Sequence, residues 1–280
     1  MKHFSIYLGT LCIIAMSLFS CNTKKTPTRD NSIEFDTIHS IQNYHWDNDS
    51  TQPSCNLKLT FTYPVSYDDR AILDSLQRIF ISTFFDETYA LFSPQEAVDN
   101  YAKAYIDNYK EDVKIFAENN DAHDDNEEYF SYYETTSNQI TFNKGDILVF
   151  QITQSNYKGG ASSYEFFKNH AINLKTGKLI TEEDIFKPGY EKLLTSIFRD
   201  YLIKSNKVQT INELEDLGYL GIDEMIPNDN FLLDDKGITY VFNKGEYSAY
   251  KLDAIKIFIP YNEIELALKN DSPISQFFAK

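Results

Sequence analysis

The chain has 280 residues, 42% of them hydrophobic and 15% aromatic, enough apolar volume for a sizeable core in one or two domains. Its 42 acidic residues outnumber 26 basic ones, a formal net charge of −16 at pH 7. Such a field repels nucleic acid and anionic headgroups and steers basic partners inward, so a polyanion-binding role is disfavoured.

The opening stretch MKHFSIYLGTLCIIAMSLFSC places Lys2 before an apolar run from Phe4 to Leu18 and ends on small Ser20 ahead of Cys21. That run is too short to cross a bilayer and reads as a secretory signal over residues 1–20. Its last four residues, Leu18-Phe19-Ser20-Cys21, resemble a bacterial lipoprotein box. The resemblance implies cleavage before Cys21, acylation of that cysteine with palmitate among the chains, and attachment to a bacterial membrane. The expected address is the outer membrane, with the domain on its periplasmic or surface side. More than one acyl chain is what makes such attachment lasting. Without the signal the chain carries 25 Lys and Arg against 42 Asp and Glu, a net −17. Residues 21–32 are polar and read as a flexible tether.

Region 33–120 is expected to hold strands followed by helices. Strand-like runs cover Ile33 to Trp46 and Cys55 to Tyr63, where Pro64 ends the second. Cys12 leaves with the signal and Cys21 is the lipid site, so Cys55 remains, read as a small buried strand residue and not a reactive thiol. From Asp68, the spacing of Ile72, Leu73, Leu76, Ile79, Phe80 and Phe84 predicts a helix reaching about Phe92. Ser93-Pro94-Gln95-Glu96 restarts it with a capping box and a proline in the first turn. Val98, Tyr101, Ala102, Tyr105, Tyr109, Val113 and Phe116 form the inner face of this second helix. The acidic stretch 119–128, with His123 inside it, lacks the glycine and alternating ligands of a calcium loop and reads as a solvated linker.

Region 129–280 switches to strands. Tyr129 to Thr135, Gln139 to Phe142 and Ile147 to Ile152 are joined by the turn residues Asn143-Lys144-Gly145-Asp146 as a hairpin. The tetrapeptide FNKG recurs at Phe242 to Gly245 with unlike flanks, so the recurrence is shared turn chemistry and not a repeat. Tyr164 to Leu174 is a further strand, Thr181 to Asp184 a capping box, and Tyr190 to Leu202 a helix with one apolar face. A short helix near Ile211 to Leu217, strands Ile238 to Phe242 and Ala254 to Ile259, and a helix Asn262 to Leu268 close the chain. Strands and helices come in blocks, which predicts an α+β fold of antiparallel sheets packed against helices.

Between two strands lies SNYKGGASSY, residues 155–164. Its Gly159 and Gly160 lack the spacing of a phosphate loop or nucleophile elbow and are expected to bend a long hairpin. Tyr157, Lys158, Gly159, Gly160, Ala161, Ser162 and Tyr164 are the candidate ligand-binding residues, since bends bearing exposed aromatics serve recognition. No catalytic, metal or cofactor motif is evident. His39, His45, His123 and His170 are scattered, without HxxxH or HxH spacing.

Three stretches together resemble the bacterial extracytoplasmic domain family shared by RsiV, the lysozyme-sensing anti-sigma factor, and the accessory region of the peptidoglycan deacetylase PdaC. They are SNYKGGASSY, INLKTGKLITEEDIF at 172–186, and GITYVFNKGEYSAYKLDAIKIFIPYNEI at 237–264. Residues 34–116 are similar to the more variable portion that accompanies it. Where that family carries His after Gly-Gly-Ala, this chain has Ser162, so no imidazole role carries over. Neither a sigma-binding segment ahead of the signal nor a deacetylase domain after the last strand is expected, so neither named activity carries over. The resemblance and the charge imply a lipid-anchored, non-enzymatic envelope binding protein, meeting a cationic lysozyme-like protein or a cell-wall glycan. The alternatives are an envelope glycan hydrolase or deacetylase built from scattered His and Asp, and a structural envelope component.

Overall fold

The computed structural model describes residues 29–119, 130–158 and 165–278, with the side chains of 116–119 left aside. The expected signal, the lipid site Cys21, the acidic stretch with His123, and Gly159 to Tyr164 lie outside these residues.

The fold is α+β. A six-stranded sheet has the order β1 (Glu34–His45), β2 (Ser54–Ser66), β3 (Tyr132–Lys144), β4 (Ile147–Tyr157), β5 (Glu165–Asn173) and β6 (Lys178–Leu179). A second sheet comprises β7 (Phe231–Leu233), β8 (Gly237–Phe242) and β9 (Ile255–Pro260). Every pair is antiparallel except β2 with β3, which run parallel. The expectation of antiparallel sheets is corrected at that one ladder. A parallel neighbour needs a long crossover, and α1 (Arg70–Phe84) with α2 (Pro94–Asn119) supply it. The regions on either side of segment 120–129 thus share one sheet.

Local chemistry sets the helix ends. Asp69 accepts hydrogen bonds from the Ala71 and Ile72 amides to start α1. That helix stops at Phe84, short of the expected Phe92, because Asp86 takes the Thr88 amide and begins a separate turn at Glu87–Tyr89. The Ser93 and Glu96 box opens α2 as anticipated, with the Ser93 amide and hydroxyl donating to Glu96 at 2.9 and 2.7 Å. The Thr181 box serves only a four-residue helix, α3 (Glu182–Ile185), before α4 (Glu191–Asn206) and α5 (Ile211–Leu217). At the β3–β4 turn Gly145 and Asp146 have φ of 60° and 62°, the two left-handed positions of a two-residue hairpin. Two short helices, α6 (Tyr261–Ile264) and α7 (Ser275–Phe278), finish the chain.

Alternate residues of β4 feed two cores. Leu148, Phe150 and Ile152 join Leu57, Leu59 and Phe61 of β2 beneath α1 and α2, where Phe80 stacks on Phe150 at 4.1 Å. Ile147 and Val149 face the opposite way, into a core shared with Phe198 of α4 and Tyr240 and Ile257 of the second sheet. A bulge between Ile140 and Phe142 turns Phe142 toward that second core. The six-stranded sheet is thus covered by α1 and α2 on its inner face and by the C-terminal elements over one end of its outer face. Each large side chain so buried contributes roughly 1.5–3 kcal/mol.

Candidate functional site

The outer face not overlaid by C-terminal elements is an unusual surface for a sheet of this length. Register places Thr37, His39, Ile41 and Asn43 of β1 beside Thr62, Thr60, Lys58 and Asn56 of β2. Thr135 and Ser137 of β3, and Thr153 and Ser155 of β4, continue the rows. Period-two side-chain alternation explains it, since Leu57, Leu59 and Phe61 go inward and their neighbours outward. The result is a platform of hydroxyls and amides. Its paired rows are knitted together, with the Thr37 and Thr62 hydroxyls 3.0 Å apart and Asn43 donating to Asn56. Lys58 and, at the far strand end, Glu165 are its charged residues, so it is close to neutral on a strongly acidic protein.

Two tyrosines stand at its rim. Tyr133 and Tyr157 are register partners on β3 and β4, and their rings stack with centroids 6.0 Å apart and planes 17° off parallel. Tyr133 is 37% exposed. Of the sequence-predicted site, then, Tyr157 sits on this open face. Lys158, the next residue, turns to the other side and holds its ammonium 5.3 Å over the Tyr105 ring of α2. Gly159, Gly160, Ala161, Ser162 and Tyr164 lie outside the described residues, on the segment that joins antiparallel β4 and β5.

Beneath Lys158 the inner face carries a buried polar cluster. Tyr101, Tyr105 and Tyr109, one helical turn apart on α2, lie over Glu134 and Cys55. The Tyr101 hydroxyl donates to Glu134 Oε1 at 2.7 Å and the Thr136 hydroxyl to the same oxygen at 3.0 Å. The Tyr105 and Tyr109 hydroxyls are buried without a partner among the described residues. Burial pushes the tyrosines' pKa values up, and that of the Cys55 thiol up to about 12. Cys55 is fully buried, the inert strand residue that its sequence context predicts.

Among the described residues the histidines do not converge. His39 is exposed on β1 and touches the Thr60 hydroxyl at 3.4 Å, while His170 lies on the inner face of β5, four strands away, roughly 19 Å at sheet spacing. His45 contacts the Gln52 carbonyl at 3.2 Å at the far end of β1, roughly 20 Å along the strand from His39. Burial first, and Lys168 second, lowers His170 to about 4. Glu182 is shifted the other way. Its carboxyl is raised by burial although Tyr190 donates to it at 2.7 Å and the Asp229 amide at 2.9 Å. Among the described residues no three His, Cys, Asp or Glu side chains are grouped as a metal ion requires.

A cleft of about 420 Å3 runs between β5 and the β7–β8 region, lined by Asn169, Asn228, Asn230 and Asn243. Its amides are already engaged. Asn243 accepts the Phe167 amide at 2.7 Å and donates back to the Phe167 carbonyl at 3.0 Å. Asn230 accepts the Asn169 amide at 2.9 Å and donates to the Phe167 carbonyl at 3.0 Å. These side chains complete the edge of β5 where two-residue β6 is too short to do so, which makes the cleft a joint between the sheets.

Sequence reasoning reached Tyr157 but missed the platform. The signal was present in the alternation Leu57-Lys58-Leu59-Thr60-Phe61-Thr62, whose polar members read as a solvated face.

A family model described as a protein of unknown function, DUF3298, matches residues 183–262. Among solved structures, a DUF3298 family member from Bacteroides fragilis is 30% identical, with a TM-score of 0.83, over 90% of this chain and 100% of its own. A DUF3298 family protein from Pseudomonas aeruginosa shares the fold alone, with 11% identity and a TM-score of 0.57 over 86% of this chain and 97% of its own. No match is found among curated proteins.

Proposed function

This chain belongs to the DUF3298 family, and from that premise we propose a lipid-anchored binding protein of the bacterial cell envelope that uses its open sheet face to hold a cell-wall glycan. The observation that carries this reading is the near-neutral platform of hydroxyls and amides rimmed by the stacked Tyr133–Tyr157 pair. A glycan offers hydroxyls and acylamido groups for the first and a C–H face for the second, and it brings no charge that an acidic protein must neutralise. The anchor is supported by the Leu18 to Cys21 box, and the link to the domain shared by RsiV and PdaC by the three stretches named above, the last of which spans β8, β9 and α6.

The test is calorimetric titration of the purified full chain with chitohexaose. Heat is expected, with Tyr157→Ala and Tyr133→Ala each weakening binding about tenfold or more, the loss of an aromatic anchor. No heat with the unaltered chain removes the glycan reading. Cys21→Ser is expected to move the protein from the membrane to the soluble fraction, and its retention there removes the anchor.

A second reading, a cationic lysozyme-like protein as partner, is favoured by the net charge of −17 after the signal. Titration with lysozyme should then give heat that falls steeply with salt, and absence of heat at low salt ends it.

A further inference from the structure

An open strand edge offers unpaired amides and carbonyls to any extended chain, and folded proteins usually blunt such edges. Most of the edges here are blunted. Asn230 and Asn243 close β5, and Asn138 brackets Thr62 at the end of β2, accepting its amide at 2.8 Å and donating to its carbonyl at 2.7 Å. The outer strand β9 has six residues and carries Lys256 and Pro260, while β6 and β7 have two and three.

Strand β1 is different. It forms the outer edge of the large sheet over 12 residues, with no Lys, Arg or Pro, and its one irregularity lies at the Glu34–Phe35 end. The Trp46 amide donates to the Pro53 carbonyl at 3.0 Å, and bonded positions alternate along an antiparallel pair. Tyr44, Gln42, Ser40, Ile38 and Asp36 therefore bond β2, and the residues between them turn their amides and carbonyls outward. The outward amide of Thr37 is taken by the Asp36 carboxylate at 2.7 Å. His39, Ile41 and Asn43 have no such cover among the described residues, and Ile41 is 72% exposed.

We propose that this edge, at His39, Ile41 and Asn43, receives an extended segment of a basic polypeptide partner by strand addition. Charge selects that occupant. Glu34 and Asp36 lie at one end of β1 and Asp47 and Asp49 just past the other, all exposed. Of the nearby cations, Lys58 stands opposite Ile41 at the strand's centre, and Lys110 of α2 holds its ammonium 4.7 Å over the Tyr44 ring, where it also pairs with Asp107. The fitting segment is apolar in its middle and basic at both ends. A second copy would set these same acids, and two chains of −16 each, against one another. The inference stands or falls separately from glycan binding, because it uses backbone groups at the edge and not the side chains of the face.

The probe is the fluorescent peptide KKTVTVTKK, titrated into the full chain, with EETVTVTEE as control. Binding of the first alone is expected, with slowed amide exchange at His39, Ile41 and Asn43. Ile41→Pro removes only an outward amide, so it should weaken binding at least tenfold without changing the melting curve. If that variant misfolds, Asn43→Pro is used instead, with Asn43→Ala as the control for the side-chain bond to Asn56. Binding untouched by either proline, or equal binding of the acidic peptide, overturns the proposal. So does a wild-type dimer in velocity sedimentation that Ile41→Pro dissolves, which would assign the edge to a second copy.

Discussion

His170 should give the protein a pH-dependent stability that one substitution erases. Its ring packs 5.2 Å from Phe150, its Nε2 is buried without a partner among the described residues, and Lys168 is the cation that adds to the effect of burial. In the unfolded chain the imidazole titrates near 6.5, and in the fold at about 4. Between these values the unfolded state binds a proton that the folded state refuses, so stability is full above pH 6.5 and is lost as pH falls toward 4. Integrating that difference from pH 7 to pH 5 gives a loss of about 2 kcal/mol, approaching about 3 kcal/mol near pH 4. The assay is urea unfolding at pH 7, 6 and 5 for the natural chain and for His170→Phe, which keeps an aromatic ring and cannot titrate. The variant should lose about 2 kcal/mol less than the natural chain over that range, since carboxylate contributions are common to both. Equal losses refute the reasoning, as does an imidazole titration of His170 near 6.5 in the folded protein.

Other outcomes follow from the same geometry. Phe80→Ala removes the ring stacked on Phe150 and should cost about 3–5 kcal/mol in the same unfolding assay. Asn230→Ala leaves the Asn169 amide without its acceptor across the joint between the sheets and the Phe167 carbonyl with Asn243 alone, a loss of about 1–3 kcal/mol. Cys55, buried and with its thiol pushed up to about 12, should resist a thiol reagent at pH 8 in the folded protein and react at once in urea; fast reaction without denaturant would contradict its burial.

Much of the architecture was legible where local chemistry decides it. The apolar spacing of Leu73, Leu76 and Phe80, the Ser93–Glu96 box and the Lys144 to Ile147 hairpin each rest on neighbours within a few residues, and the structure has them all. The parallel ladder of Cys55 on Tyr132 was not legible, because nothing within either strand records which strand lies beside it. The asparagine clamps were hidden for the same reason. Asn138, Asn230 and Asn243 look like ordinary turn or strand residues until the edges they close are in place. The predicted site divided for a simpler cause. Tyr157 and Lys158 are adjacent in sequence, and adjacent strand residues face opposite sides, so they serve different surfaces.

The central claim is that the open face of the six-stranded sheet is where this protein meets its ligand. Residue-resolved NMR of the full chain during chitohexaose titration tests it most directly. The account predicts shifts confined to Tyr133, Tyr157 and the outward residues Thr60, Thr135 and Thr153, with the α2 tyrosines Tyr101 and Tyr109 unmoved. Shifts that map instead to the inner cluster around Glu134, or to the cleft at Asn230, would contradict it.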